Sequence, residues 1–163
     1  MSYIQHYQSP IGTLKITAED QYITGVSLYI EEAVNVANKE NIENTPPTAL
    51  LQEACTQLTE YFSGTRTSFD LPIKYTTGTL FQHSVWNALR NIPYGETRSY
   101  ENIAVAIGNP KAVRAIGQAN HKNPMLLLVP CHRVINKNGQ LGGFGCGVEV
   151  KKQLLQLEGL EIN

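Results

Sequence analysis

Leu14, Ile16 and Ala18 alternate with Lys15 and Thr17, and Val26, Leu28 and Ile30 alternate with Ser27 and Tyr29. A period of two is that of strands with one buried face. Ser9-Pro10-Ile11-Gly12 and Glu19-Asp20-Gln21 supply turn residues between them, and Tyr3 to Tyr7 fits an earlier strand of the same antiparallel sheet. Residues 31–47 are polar and acidic, end in Pro46-Pro47, and read as a loop or short helix. The period then changes. Leu51, Ala54, Cys55, Leu58, Tyr61 and Phe62 fall on one helical face, and Gly64 closes that helix. Cys55 reads as core packing. Residues 64–79 form a polar connector with a short strand candidate at 69–73, so the expected domains are 1–77 and 78–163.

The second half opens with Thr79-Leu80-Phe81-Gln82, a capping-box pattern, followed by Phe81, Val85, Trp86 and Leu89 as a buried face with Trp86 in the core. Pro93-Tyr94-Gly95 breaks the chain. Ser99 can cap a helix carrying Ile103, Ala104 and Ile107, which Gly108 ends. Asn109 is expected to cap the next helix, with Pro110 at its first position. Two short helices joined by a tight turn make a helix-turn-helix. In its second helix Val113 and Ile116 point inward, while Lys111, Arg114 and Gln118 share an outward face. The apolar run Met125–Val129 reads as a buried strand leading into Pro130-Cys131-His132-Arg133, with a Gly-rich turn at 142–145. A last helix is expected from about Glu149 to Gly159, with Val150, Leu154, Leu155 and Leu157 on its apolar side. Glu158 sits near its C-terminus, where a negative charge is unfavourable, so a partner such as a histidine is expected to hold it. The fold class is α+β: an N-terminal antiparallel sheet with helix, then a mostly helical C-terminal half.

Charge changes the picture more than size does. The 163 residues suffice for one ordinary domain or two small ones. The net charge of −1 hides an asymmetry. Residues 1–79 hold 4 Lys+Arg against 9 Asp+Glu, giving −5, and residues 80–163 hold 9 against 5, giving +4. The basic half admits a polyanionic partner, with moderate and salt-sensitive affinity. Three cysteines at no disulfide-like spacing fit a reducing compartment. Without a signal-like start or an apolar run of membrane length, the expectation is a soluble intracellular protein. The Cys and His positions match no zinc spacing, so no metal is expected.

Cys131 beside His132 is the candidate chemistry. A thiol becomes a nucleophile as thiolate, and a neighbouring imidazole is one way to make it. On the four residues Pro130–Arg133 alone, a reactive thiol and a small buried hydrophobe both remain open.

The context narrows this. Ile92-Pro93-Tyr94-Gly95-Glu96-Thr97-Arg98-Ser99-Tyr100, then the stretch from Gly108-Asn109-Pro110 to Ala119, then Asn123-Pro124 and Pro130-Cys131-His132-Arg133 stand in order. From about Leu80 to Gly159 this resembles the methylated-DNA–protein-cysteine methyltransferases, the O6-alkylguanine-DNA alkyltransferases. The resemblance implies a ribonuclease-H-like N-terminal half with a structural role. It implies single-turnover transfer of an alkyl group from O6 of guanine in duplex DNA to the protein, with base flipping and no cofactor. It makes Cys131 the nucleophile and acceptor, His132 the base acting through a water, and Glu158 the group orienting it. It makes Tyr100 the aid to protonating the leaving guanine and a phosphate contact, and Asn123 the pin of the turn before the site. Arg114 would enter the base stack, Asn109 would contact the DNA backbone, and Val134, Phe144 and Gly145 would line the pocket; Lys111, on the outward face with Arg114, is a further candidate DNA contact. Arg133 reads as structural.

The implied partner is double-stranded DNA containing O6-alkylguanine, bound by a monomer away from any membrane, in a prokaryotic cytoplasm or a eukaryotic nucleus. The sequence departs from the family pattern at Phe144, where tyrosine is frequent, at Gly145, where serine is common, and at Cys146. A thiol at 146 raises the expectation of oxidation against Cys131. Three rivals are a lesion binder without transfer, a helix-turn-helix regulator and a Cys-His hydrolase. The first lacks the acceptor cysteine, the second would bind a specific operator, and the third would turn over.

Overall fold

The computed structural model describes residues 2–29 and 48–162. Ile30 and the segment 31–47 lie outside the described residues. The chain divides into two compact units, Met1–Thr76 and Thr77–Asn163.

In the first unit, β1 (Ser2–Ser9), β2 (Gly12–Glu19) and β3 (Tyr22–Leu28) form an antiparallel sheet in the order β1-β2-β3. Leu14, Ile16 and Ala18 are buried on one face of the central strand, as the alternation requires. Helix α1 (Ala49–Phe62) starts at Thr48, whose hydroxyl accepts from the Leu51 amide at 3.1 Å. It ends where Gly64 adopts φ +84° and the Thr65 amide reaches back to Glu60 at 2.9 Å. Leu51, Ala54, Leu58 and Tyr61 are buried on its inner face, but Cys55 and Phe62 are only half-buried, at the margin of that face. The inner face also takes Gln57, a buried polar residue that the apolar pattern hides. Its amide holds the Asp70 backbone, donating to the carbonyl at 3.0 Å and accepting from the N–H at 2.9 Å. The strand expected at 69–73 shrinks to one bridge, Ile23 to Ile73, because Pro72 brings a carbonyl to the ladder but no N–H.

The second unit begins with α2 (Leu80–Leu89), whose capping box is complete: Thr79 Oγ1 accepts from the Gln82 amide and Gln82 Oε1 from the Thr79 amide. Val85, Trp86 and Leu89 are buried, while Phe81 is half-buried. Two-residue strands β4 (Arg98–Ser99) and β5 (Val134–Ile135) pair in parallel. Helix α3 (Tyr100–Ala106) follows directly, with a second capping box between Ser99 and Asn102. Helix α4 spans Val113–His121. The Trp86 indole N–H donates to the Ala119 carbonyl at 2.8 Å, tying α2 to α4 from inside the core. Helix α5 (Val148–Leu157) closes the unit.

Two local expectations need correction. Asn109 does not cap α4. Its carbonyl accepts from the Ala112 amide at 3.0 Å, which places Pro110 in a turn, and the helix starts at Val113 with no side-chain cap. The run Met125–Val129 is not a strand. It folds on itself through Val129 N–H to Met125 O at 2.9 Å, with Leu127 at φ +73°. Leucine rarely takes this left-handed conformation, so the surrounding structure must enforce it.

Candidate active site

The Asn123 carboxamide enforces that turn. Its Oδ1 accepts from the Met125 amide at 2.9 Å, and its Nδ2 donates to the carbonyls of Val129 at 2.8 Å and Met125 at 3.4 Å. One short side chain thus closes both ends of a loop whose residues 125–129 are all buried. The loop delivers Cys131 to the first position of a one-turn 3-10 helix, Cys131–Arg133, in place of the extended chain expected there. The turn is held from a second side by Asn120 on α4, whose Nδ2 donates to the Cys131 carbonyl at 3.3 Å.

Cys131 is 4 % exposed, and burial pushes its thiol up to about 11. A hydrogen bond from the Asn123 side chain and the charge of Lys151 oppose that rise, while Cys146 adds to it. The resting thiol is therefore protonated and weakly reactive, and needs a base.

His132 is completely buried next to it. Its Nε2 lies 2.6 Å from Glu158 Oε2. A carboxylate at that distance fixes the tautomer with Nε2–H as donor. Nδ1 then carries the lone pair, and it has no hydrogen-bond partner within the protein. Burial lowers the His132 pKa, which the hydrogen bond and charge of Glu158 oppose and the charges of Arg133 and Lys151 reinforce. His132 is thus neutral at neutral pH, and its free nitrogen can accept a proton.

Glu158 occupies the C-cap of α5, the position where its charge required a partner. It has several. Arg133 Nε donates to Oε1 at 2.8 Å and another Arg133 nitrogen to Oε2 at 3.1 Å, a bidentate pair. The Gly95 amide donates to Oε1 at 3.1 Å. Gly95 has φ +77°, and a Cβ there would sit 3.2 Å from the Glu158 carbonyl, so glycine is needed both for the turn and for the approach. Arg133 also donates to the Ile92 carbonyl at 2.7 Å, anchoring the loop after α2. With Arg133 balancing Glu158, a neutral His132 leaves the buried group with no net charge, and a proton gained by His132 meets a carboxylate already in place.

Tyr100, at the first position of α3, is half-buried. Burial, and next the Cys131 charge, raise its pKa, so it keeps its proton and can donate it. Its ring packs toward Gly117 of α4, where a Cβ would lie 3.9 Å away. Lys111, Arg114 and Gln118 are exposed, Arg114 and Gln118 on α4 and Lys111 in the turn before it; Asn109 is exposed in the same turn. Val134 is buried directly after the 3-10 turn, Phe144 is half-buried and Gly145 exposed.

Four contributors were not singled out from sequence: Gly95, Asn120, the Glu158-binding role of Arg133, and Lys151. Lys151 had a signal, because it shares helical spacing with Leu154, Leu155 and Glu158. Among the described residues no three His, Cys, Asp or Glu side chains group to hold a metal ion, and no helix is long and apolar enough to cross a membrane.

The chain is similar to known proteins along nearly its whole length. Residues 80–160 match the family model described as 6-O-methylguanine DNA methyltransferase, DNA binding domain, and residues 2–75 match its ribonuclease-like domain. The chain is 48% identical over 161 residues to the constitutive methylated-DNA–protein-cysteine methyltransferase of Bacillus subtilis, covering 97% of this chain and 96% of that one. It is 44% identical to the methylated-DNA–protein-cysteine methyltransferase of Methanosarcina acetivorans, covering 96% and 98%. The crystal structure of Mycobacterium tuberculosis OGT in complex with DNA matches with TM-score 0.83 and 41% identity over 96% of this chain and 92% of that one. A buried thiol, a neutral histidine oriented by a carboxylate and a helix-turn-helix, joined to full-length similarity of this order, place the chain in the methylated-DNA–protein-cysteine methyltransferase family.

Proposed function

We propose that this protein repairs DNA by direct reversal, moving an alkyl group from O6 of guanine to Sγ of Cys131 once per molecule. The observation that carries the reading is the pairing of a deeply buried thiol with a histidine whose free nitrogen is Nδ1. His132 takes the thiol proton, through one water. The thiolate attacks the alkyl carbon in line, the carbon–O6 bond breaks, and the guanine leaves as its electron pair moves into the ring. Tyr100, which keeps its proton, supplies it to the departing base. The charge that appears on His132 is stabilised by Glu158 at 2.6 Å. Family membership supports the reaction class, and the residue roles are those the resemblance implies.

The target base lies inside the duplex and must be turned out of the stack, which costs a few kcal/mol. Arg114 is the exposed cation on α4 suited to fill the gap, because a planar guanidinium can stack as well as bond. Lys111, Asn109 and the Tyr100 end of α3 meet the phosphates, and Val134, Phe144 and Gly145 border the alkyl group. The protein acts as a monomer on duplex DNA, without a cofactor. S-alkylcysteine is a stable thioether, so no second turnover follows.

Intact mass after incubation with duplex DNA containing O6-methylguanine tests this. The wild type should gain one methyl and never two, and Cys131→Ala none. Repeated turnover, or no gain with tight lesion binding retained, would contradict it.

A further inference from the structure

Asn120 is a buried polar side chain that the reaction above leaves without a task. It is 4 % exposed and stands near the end of α4, among the buried residues of that helix with Ile116 and Ala119. Arg114 and Gln118 of the same helix are exposed. The carboxamide is only half used. Its Nδ2 donates to the Cys131 carbonyl at 3.3 Å. That carbonyl can only accept, so the amide must turn its NH2 toward it, which directs Oδ1 elsewhere. Oδ1 is shut off from solvent and has no hydrogen-bond partner among the described residues. A buried acceptor left unpaired lowers stability, and a leucine of similar shape would have no such group. Asparagine is therefore a poor choice here for packing alone. What it supplies and leucine lacks is the donated bond to Cys131.

That bond closes a circuit. The Asn120 backbone carbonyl accepts from the Asn123 amide at 3.4 Å, and Asn123 clamps Met125 and Val129. The chain then runs through Pro130 to Cys131, whose carbonyl returns to the Asn120 side chain. Asn123 fixes the loop to itself, whereas Asn120 fixes the acceptor residue to the helix. The helix in turn is fixed to the core, where the Trp86 indole N–H donates to the Ala119 carbonyl at 2.8 Å. We propose that Asn120 is a positioning residue for alkyl transfer: it ties the Cys131 backbone to the helix that presents Arg114 to DNA, so that the helix which locates the damaged base also locates the thiol. The proposal rests on the reading of Cys131 as acceptor and of α4 as the DNA-facing helix. In-line attack needs sulfur, alkyl carbon and O6 on one line, and a misplacement of about 1 Å can slow such a step by about a hundredfold. With duplex DNA the carbon is placed by α4, so a Cys131 no longer tied to α4 meets it out of line. A small electrophile free in solution gains nothing from the tie.

The test uses Asn120→Leu, with Asn120→Ala as a second variant that removes the donor without added bulk, each beside the wild type and below its melting temperature. Single-turnover transfer from duplex DNA containing O6-methylguanine and affinity for that duplex are measured. Methylation of Cys131 by methyl iodide, without DNA, is followed on the Cys131 peptide by mass spectrometry. Asn120→Leu should melt no lower than the wild type. It should bind the duplex equally well and take its methyl on the order of tenfold more slowly, while methyl iodide modifies Cys131 at least as fast as before. Asn120→Ala should show the same split between the two rates. Transfer from DNA at the wild-type rate in both variants would overturn the proposal. So would an equal slowing with DNA and with methyl iodide, the signature of a side chain that only maintains the site. A wild type that takes no methyl from DNA would overturn the proposed function and this placement with it, whereas a wild type that transfers beside unslowed variants would overturn this placement alone.

Discussion

The two units bury different kinds of residue. Among the described residues of the first unit, the core is Leu14, Ile16, Ile23, Leu51, Leu58 and their apolar neighbours, with Gln57 as its one buried polar side chain. The second unit buries Asn120, His132, Arg133, Lys151 and Glu158. Apolar burial stabilises by about 1.5–3 kcal/mol per large side chain and requires no exact partner. A buried charge is tolerated only with a counter-charge or hydrogen bonds in place, and is favoured where chemistry uses it. Under the proposed mechanism the second unit also holds a proton path, and no residue of the first unit takes part in it.

The sharpest way to break that contrast is to remove one charge from the second unit. Glu158→Gln leaves Arg133 buried without its carboxylate, which should destabilise the protein by about 3–5 kcal/mol. It also leaves an imidazolium on His132 unsupported, so methyl transfer should fall even at temperatures where the variant is folded. Thermal melting with single-turnover kinetics reads both effects. In the first unit Gln57→Ala strips the Asp70 backbone of its buried partners and should cost about 1–3 kcal/mol. Transfer below its melting temperature should be unaffected, and a comparable loss of rate would remove the distinction between the units.

Electrostatic predictions are smaller. His132 has a folded pKa below its ordinary 6.5. Below pH 6.5 the unfolded chain therefore binds a proton that the folded chain refuses. Stability is lost as pH falls from 6.5 toward the folded value, and is unaffected by this residue above that window. Chemical denaturation between pH 8 and pH 5 should show the decline, and His132→Gln should flatten it. Arg114→Ala removes one exposed cation and should reduce the slope of log affinity against log salt by about 1, measured by titration with duplex DNA. Gly145→Ser should do least. A Cβ there meets His121 at 3.6 Å, ordinary contact, so melting should move by no more than about 0.5 kcal/mol equivalent.

Sequence patterns carried most of the elements because their causes are local. Strand alternation, the Thr79 capping box, the Ser99 cap and the Gly64 and Gly108 helix stops each lie within a few residues of what they determine. The turn at 125–129 was not legible in the apolar pattern, and only the family resemblance pointed to a turn pinned by Asn123. Five apolar residues look like a strand unless it is known that Asn123 reaches both ends and forces Leu127 to φ +73°. Asn109 before Pro110 had the composition of a helix start, but the chain uses it for a turn. The partners of Glu158 were only half legible: its misplaced charge demanded a partner, while Arg133, Gly95 and their distances depend on segments brought together from 25 to 63 residues away. Lys151 escaped because lysine is so rarely buried that a single one on an apolar stripe reads as surface.

The most direct measurement locates the transferred group. The wild-type protein, reacted to completion with duplex DNA carrying isotopically labelled O6-methylguanine, is digested and its cysteine peptides are sequenced by mass spectrometry. The label is predicted on Cys131 alone, one per chain, with Cys55 and Cys146 unmodified. Label on Cys146 or Cys55, or on no cysteine while the lesion disappears, would contradict the assignment of the buried Cys131–His132–Glu158 group as the reacting centre.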